Sequence, residues 1–165
     1  MATSSVTNEL FRRVMGCFAT GVTVVTVERQ PGSVHGMTAN SFTSVSLDPY
    51  LVSICVDQNA RLLTYLKVQR RFGVNILKAG QRAVSEYFAR PYEDSDFEAK
   101  FGMRFQWTES GIPLLEGVLA QLACNVVGEH VTGDHTIFIA EVESMNFAEG
   151  RPLLYFRGKY HNLEE

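Results

Sequence analysis

Apolar residues recur at helical spacing near the start of the chain and at strand spacing through most of the rest. Leu10, Phe11, Val14, Met15 and Phe18 follow Asn8, a residue suited to an N-cap, with Arg12 and Arg13 on the opposite side; this predicts a helix closed at Gly21. Val22 to Val27 is valine or threonine throughout, and so many β-branched residues favour extended backbone. After the turn at Gln30-Pro31-Gly32-Ser33, a second strand is predicted over Val34 to Ala39. Polar Asn40-Ser41-Phe42-Thr43-Ser44 then interrupts the apolar pattern before Val45-Ser46-Leu47. Asp48-Pro49 turns the chain into an apolar run over Tyr50 to Val56.

Leu62, Leu63 and Leu66 predict a short helix from Arg61 to Val68, followed by a strand over Phe72 to Leu77. Gln81 to Ala89 reads as a helix with Val84, Tyr87 and Phe88 inward, ended at Arg90-Pro91 because the proline ring disfavours helical geometry in the residue before it. Residues 92–113 read as irregular, charged and punctuated by Tyr92, Phe97, Phe101, Phe105 and Trp107. Two long stretches, Gly117 to Val131 and Thr136 to Phe147, flank a hairpin turn at Thr132-Gly133-Asp134, and Pro152 to Phe156 is a last short strand. Roughly seven strands and at most three helices, not regularly alternated, predict a mainly β fold: an antiparallel barrel with a few peripheral helices. Apolar residues on both faces of the Gly117–Val131 stretch call for something packed outside the barrel, which a second subunit would supply. With no repeat or linker, residues 1–165 read as one domain.

Composition narrows the classes. A net charge of −3 over 165 residues gives no basic excess for phosphate neutralisation, so nucleic acid is not an expected partner. Hydrophobic content of 45% excludes disorder. No apolar run approaches the ~18 residues of a membrane-spanning helix, and the polar start offers no secretory signal, so no membrane is expected and the chain reads as cytoplasmic. Cys17, Cys55 and Cys124 form no CxxC pair, and Cys55 and Cys124 read as core filler. Glycine-rich nucleotide loops, HExxH and G-x-S-x-G are absent, and the four histidines lack metal-ligand spacing, so no metal site is expected.

What remains is polar chemistry in apolar surroundings. Thr38, Asn40 and Ser41 beside small Ala39 suit a flat, polar-edged ring, or a bulge that bonds to itself. Asn59, Ala60 and Arg61, with Thr64 one turn on, suit a phosphate at a helix N-terminus, or a capped helix with a solvated arginine. Phe88, Ala89 and Arg90 pair an aromatic with a cation at a helix end, or are packing and surface charge. His135 after Gly133-Asp134 projects from a turn, where Asp134 can orient its imidazole, or is simply exposed. Arg157, Tyr160 and their neighbours form a segment dense in aromatics and cations, or a core strand with a solvated tail.

Taken together and in order, these pieces resemble the short-chain flavin reductase family. The match runs from Phe11 to His161 through Phe18-Ala19-Thr20-Gly21-Val22-Thr23, Gly36-Met37-Thr38-Ala39-Asn40-Ser41-Phe42-Thr43-Ser44-Val45-Ser46-Leu47-Asp48-Pro49, Phe72-Gly73-Val74-Asn75, Phe88-Ala89, Gly133-Asp134-His135 and the Leu154 to Tyr160 tail. The resemblance implies a homodimeric Greek-key split β-barrel that binds FMN or FAD and takes hydride from NADH or NADPH to flavin N5, supplying a separate monooxygenase. It implies that Thr38, Ala39, Asn40 and Ser41 hold the isoalloxazine, and that Asn59, Ala60 and Arg61, with Thr64, hold ribityl and phosphate. Phe88, Ala89 and Arg90 are implied as a further flavin segment. His135 is implied beside the nicotinamide as the catalytic residue, with Arg157 and Tyr160 close by. The cofactor carries such a reaction while the protein aligns two rings and excludes water, so no hydrolytic constellation is expected. A flavin carrier of the same fold without nicotinamide turnover is the alternative. Tyr50 stands where the family has a second proline, and the phosphate loop lacks its frequent serine.

Overall fold

The computed structural model describes residues 6–90 and 97–163. In chain order the elements are α1 (Asn8–Met15), β1 (Thr20–Gly21), β2 (Thr23–Gln30), β3 (Ser33–Ala39), β4 (Phe42–Leu47), β5 (Tyr50–Asp57), α2 (Arg61–Gln69), β6 (Arg71–Ile76), α3 (Arg82–Phe88), α4 (Phe97–Phe101), β7 (Phe105–Trp107), β8 (Pro113–Leu115), β9 (Ala120–Thr132), β10 (His135–Phe147), β11 (Leu153–Phe156) and β12 (Lys159–Asn162). Seven strands form one antiparallel sheet in the order β3-β2-β6-β9-β10-β5-β4, with β1-β11-β12 and β7-β8 as smaller sheets. The edges of the large sheet, β3 and β4, are consecutive in the chain but do not pair. The barrel is therefore split along a seam, and Asn40-Ser41 crosses it.

Two buried clusters explain the continuous apolar runs. Val25 and Val27 of β2 face inward with Val52, Ile54, Val56, Phe72, Val74 and Phe138, and Leu62, Leu63 and Leu66 of α2 pack into the same cluster. Val22 and Val24 face the other way, into a cluster with Leu77, Val84, Phe88, Phe97, Leu115 and Leu153. A strand buried on both faces has no polar side to write into the sequence, hence the unbroken run at 22–27.

Buried polar groups bind the layers together. Asn75 is fully buried; its amide donates to the Val24 carbonyl at 2.9 Å and to Thr26 Oγ1 at 3.0 Å, and its oxygen accepts from Leu115 N at 2.6 Å. Gln121 donates to the Leu115 carbonyl at 2.6 Å. These bonds fasten β8 to the sheet with the donors and acceptors satisfied.

Several sequence expectations are corrected. Twelve strands and four helices occur among the described residues, because α4, β7 and β8 organise the segment read as irregular and β12 organises the tail. The cap of α1 is Thr7, whose hydroxyl accepts from Leu10 N at 3.1 Å. Phe72 and Phe138 are fully buried as core, whereas Phe11 and Phe18 are 59% and 73% exposed, and α1 buries none of its residues. Cys124 is fully buried, and burial pushes its thiol up to about 12, so it is inert; Cys55 is only half-buried. Pro91 and Tyr92 lie outside the described residues. No described helix is long and apolar enough to cross a membrane.

Candidate functional site

The seam opens onto a cavity of about 210 Å³ lined by Val22, Thr38, Ala39, Asn40, Ala89, Tyr155 and Tyr160. Local chemistry shapes each wall. Thr38 Oγ1 donates to the Ser85 carbonyl at 2.6 Å, which leaves its lone pairs but not its proton for a ligand. Ser41 Oγ donates to the Cys55 carbonyl at 2.9 Å and accepts from Cys55 N at 3.2 Å, so it stitches the crossing segment to β5. Asn40 is exposed and makes no side-chain hydrogen bond to a described residue. Ala39 keeps the floor shallow. The opposite wall is Tyr160, edge-on to Tyr155 at 5.3 Å between ring centres, with the Arg82 guanidinium 5.4 Å from the Tyr160 ring centre.

Phe88 does not reach this cavity. Its ring is buried and packs on Gly36, where an added Cβ would lie 2.6 Å from the ring. Phe88 therefore holds α3 against β3, while its neighbours Ala89 and Arg90 are exposed. Arg157 is displaced too. It sits at positive φ in the β11–β12 turn, donates its backbone N–H to the Gly16 carbonyl at 2.8 Å, and lines an open groove beside α1 rather than the ring cavity.

A second set of groups gathers at the far end of β5. The β9–β10 hairpin is closed by Gly133, at a φ of 62° that suits glycine, and Asp134. The Asp134 carbonyl accepts from Gln58 N at 2.9 Å, and Gln58 Nε2 donates to Thr136 Oγ1 at 2.8 Å, so the hairpin is bound to the loop carrying Asn59. His135 Nδ1 lies 2.7 Å from Asp134 Oδ1, with the imidazole side chain 43% exposed. The hydrogen bond and the imidazole's charge hold the Asp134 carboxyl below its ordinary range. With Nδ1 engaged in that bond, Nε2 is the ring nitrogen without a partner among the described residues.

Next to it, α2 starts at Ala60 with no side-chain cap and no acid in its first turn. Leu63 N donates to the Ala60 carbonyl at 3.0 Å, while the N–H groups of Arg61 and Leu62 have no acceptor among the described residues and favour an anion. Exposed Arg61 and Thr64 belong to the same turns. His35 lies 5.2 Å from the Tyr65 ring centre, and burial, Arg29 and Arg61 push its imidazole down to about 4. It is thus neutral, and Arg29 and Arg61 supply the positive charge near it, with the Asp57 carboxylate accepting from Asn59 N at 2.7 Å just before α2. A pocket for a planar ring and an uncapped, cationic helix start are a donor set that fits a flavin phosphate ester.

The structure thus joins Asn59, Ala60, Arg61 and Thr64 with His135 through β5, and joins Thr38, Ala39 and Asn40 with Ala89 and Tyr160 at the seam. Sequence reasoning missed Ser85 and Arg29. A polar residue on the apolar side of the α3 pattern signals the first; an isolated surface arginine gives no signal.

Known proteins bear on what this arrangement does. The model of the flavin reductase like domain matches residues 15–164. An NADH-dependent flavin reductase from Rhodococcus is 43% identical over 155 residues, covering 93% of this chain and 85% of its own. The solved styrene monooxygenase flavin reductase of Pseudomonas putida superposes with a TM-score of 0.85 at 37% identity, over 96% of this chain and 99% of that one. An NADH:FAD oxidoreductase from Streptomyces globisporus, solved in complex with NAD and FAD fragments, gives 0.86 at 36% identity over 98% of each chain. The split barrel, its seam and the matched length agree: this chain belongs to the flavin reductase-like family.

Proposed function

We propose that this protein is an NAD(P)H:flavin oxidoreductase that reduces FMN or FAD and supplies the reduced flavin to a separate monooxygenase. The carrying observation is that the seam cavity, the uncapped start of α2 and the Asp134–His135 pair are tied together through β5 by Ser41–Cys55 and Gln58–Asp134 bonds. When bound, flavin supplies the hydride acceptor and the nicotinamide the donor. Ala39, Asn40 and Tyr160 border the ring, Asn59, Arg61 and the α2 N-terminus hold phosphate, and Asp134 fixes the His135 ring beside the donor. The Rhodococcus and Streptomyces names favour NADH as donor, and the Pseudomonas name favours a monooxygenase as recipient.

The working unit in this reading is a homodimer of one-domain chains. A 210 Å³ cavity is below the ~300–1,000 Å³ usual for ligand pockets, so a protomer alone offers part of a site. Phe11, Val14, Met15 and Phe18 of the α1 region, Val127 and Val131 of β9, and Met145 and Phe147 of β10 are all more than half exposed. So much apolar surface on a small chain marks an interface, and a second copy is the occupant we infer.

His135→Ala tests the enzyme reading. Nicotinamide oxidation should fall at least tenfold, by about the factor lost with one positioned group, while flavin titration stays near wild type. Retained turnover would exclude His135 from the donor site. A wild-type protein that binds flavin and oxidises neither NADH nor NADPH would be a carrier.

A further inference from the structure

Resting on the flavin reading of the seam cavity, we propose that Ser85 is a positioning residue for that cavity, setting the wall formed by Tyr160. Ser85 is fully buried in α3 and is not among the residues that line the seam cavity. It is bonded to three residues that do line it. Its hydroxyl lies 2.8 Å from the Tyr160 hydroxyl. Its carbonyl accepts from Thr38 Oγ1 at 2.6 Å and from Ala89 N at 3.0 Å. One helical residue thereby fixes β3, the C-terminal end of α3 and β12 relative to each other across the cavity mouth.

The choice of serine is informative. Alanine suits a buried helical position better by propensity, and a buried hydroxyl without a partner is destabilising. The hydroxyl is tolerated here because Tyr160 satisfies it. The Tyr160 ring also packs on the second buried cluster, edge-on to Tyr155 and beside the Arg82 guanidinium, contacts that set the rotation of the ring about its long axis. The Ser85 bond fixes where the hydroxyl end of the ring lies, so that, with the ring contacts setting its rotation, the wall stands in place before a planar ligand arrives. Such preorganisation improves binding more than it changes the chemical step.

A double-mutant cycle on the full-length protein tests this with FMN and FAD as probes. Ser85→Ala, Tyr160→Phe and the double variant are compared by flavin fluorescence titration, by KM and kcat for flavin, and by thermal melting. Ser85→Ala should raise the flavin Kd and KM about three- to tenfold, the worth of one hydrogen bond, with kcat changed less. Tyr160→Phe should do the same, and the double variant should be no worse than the larger single, because both remove one bond. Additive effects, or a lowered melting point with unchanged Kd, would overturn the proposal. Should Ser85→Ala fail to fold, Tyr160→Phe cuts the bond from the half-exposed side, and a wild-type Kd there would overturn it equally. Wild-type protein with no flavin affinity would defeat the flavin reading and this inference together; flavin affinity in the wild type that Ser85→Ala leaves unchanged defeats this inference alone.

Discussion

Thr38 and Ser41 commit their hydroxyl protons inside the fold, one to Ser85 and one to Cys55, while Asn40 between them stays exposed. A bulge that bonds to itself and a segment that holds a ring therefore turn out to be compatible: internal bonds fix the backbone that the ring meets. Residue identity alone could not divide these duties, because Thr, Asn and Ser all suit both. His35 shows the same limit. Its burial beside Tyr65 and the field of Arg29 and Arg61 come from three elements, and nothing in the local sequence announces them. The consequence is measurable. The folded imidazole titrates near 4 and the unfolded one near 6.5, so the unfolded chain binds more protons between those values, and stability falls as pH drops from 6.5 towards 4. His35→Gln should flatten that limb of a melting-temperature profile. An unchanged acid limb would show that His35 does not govern it.

Among elements, the long strands were legible and the short ones were not. β9 and β10 follow from two apolar stretches around a Gly-Asp turn, and the helix α2 from three leucines. β7, β8 and α4 escaped because partners outside their own short segments stabilise them: Asn75 takes Leu115 N, Gln121 takes the Leu115 carbonyl, and Phe97 packs on Phe88 at 5.1 Å between ring centres. Local periodicity carries no record of such bonds. Asn75→Ala should accordingly destabilise the fold by about 2–4 kcal/mol, since it strips partners from buried groups; denaturant unfolding reads this directly, and a loss under about 0.5 kcal/mol would contradict it. Gly36→Ala probes how α3 is seated. The new methyl meets the Phe88 ring, so α3 must shift, and flavin KM should rise together with a lower melting point. An alanine variant with wild-type KM would show that the seat of α3 does not govern the cavity.

Across the whole molecule aromatic side chains serve different ends, Phe88 and Phe97 among them seating α3 and α4 in the second buried cluster. Phe72 and Phe138 fill the barrel, Tyr155 and Tyr160 face the cavity, and Phe11, Phe18 and Phe147 stand exposed on one protomer. The sequence showed apolar atoms on both faces of a strand and so called for a covering subunit, but the helical spacing of Phe11 and Phe18 distinguishes an apolar face from a polar one and not an interior from an interface. Light scattering should return about twice 18.5 kDa, and Phe18→Asp should shift the population towards monomer with weaker flavin binding. A wild-type monomer that binds flavin fully would contradict the dimer. The central claim is nicotinamide-dependent flavin reduction, and anaerobic stopped-flow tests it most directly, with NADH and NADPH each mixed against protein with FMN or FAD. The account predicts rapid bleaching of flavin absorbance by at least one nicotinamide, abolished or strongly slowed in His135→Ala. Flavin that stays oxidised in all four combinations would contradict it.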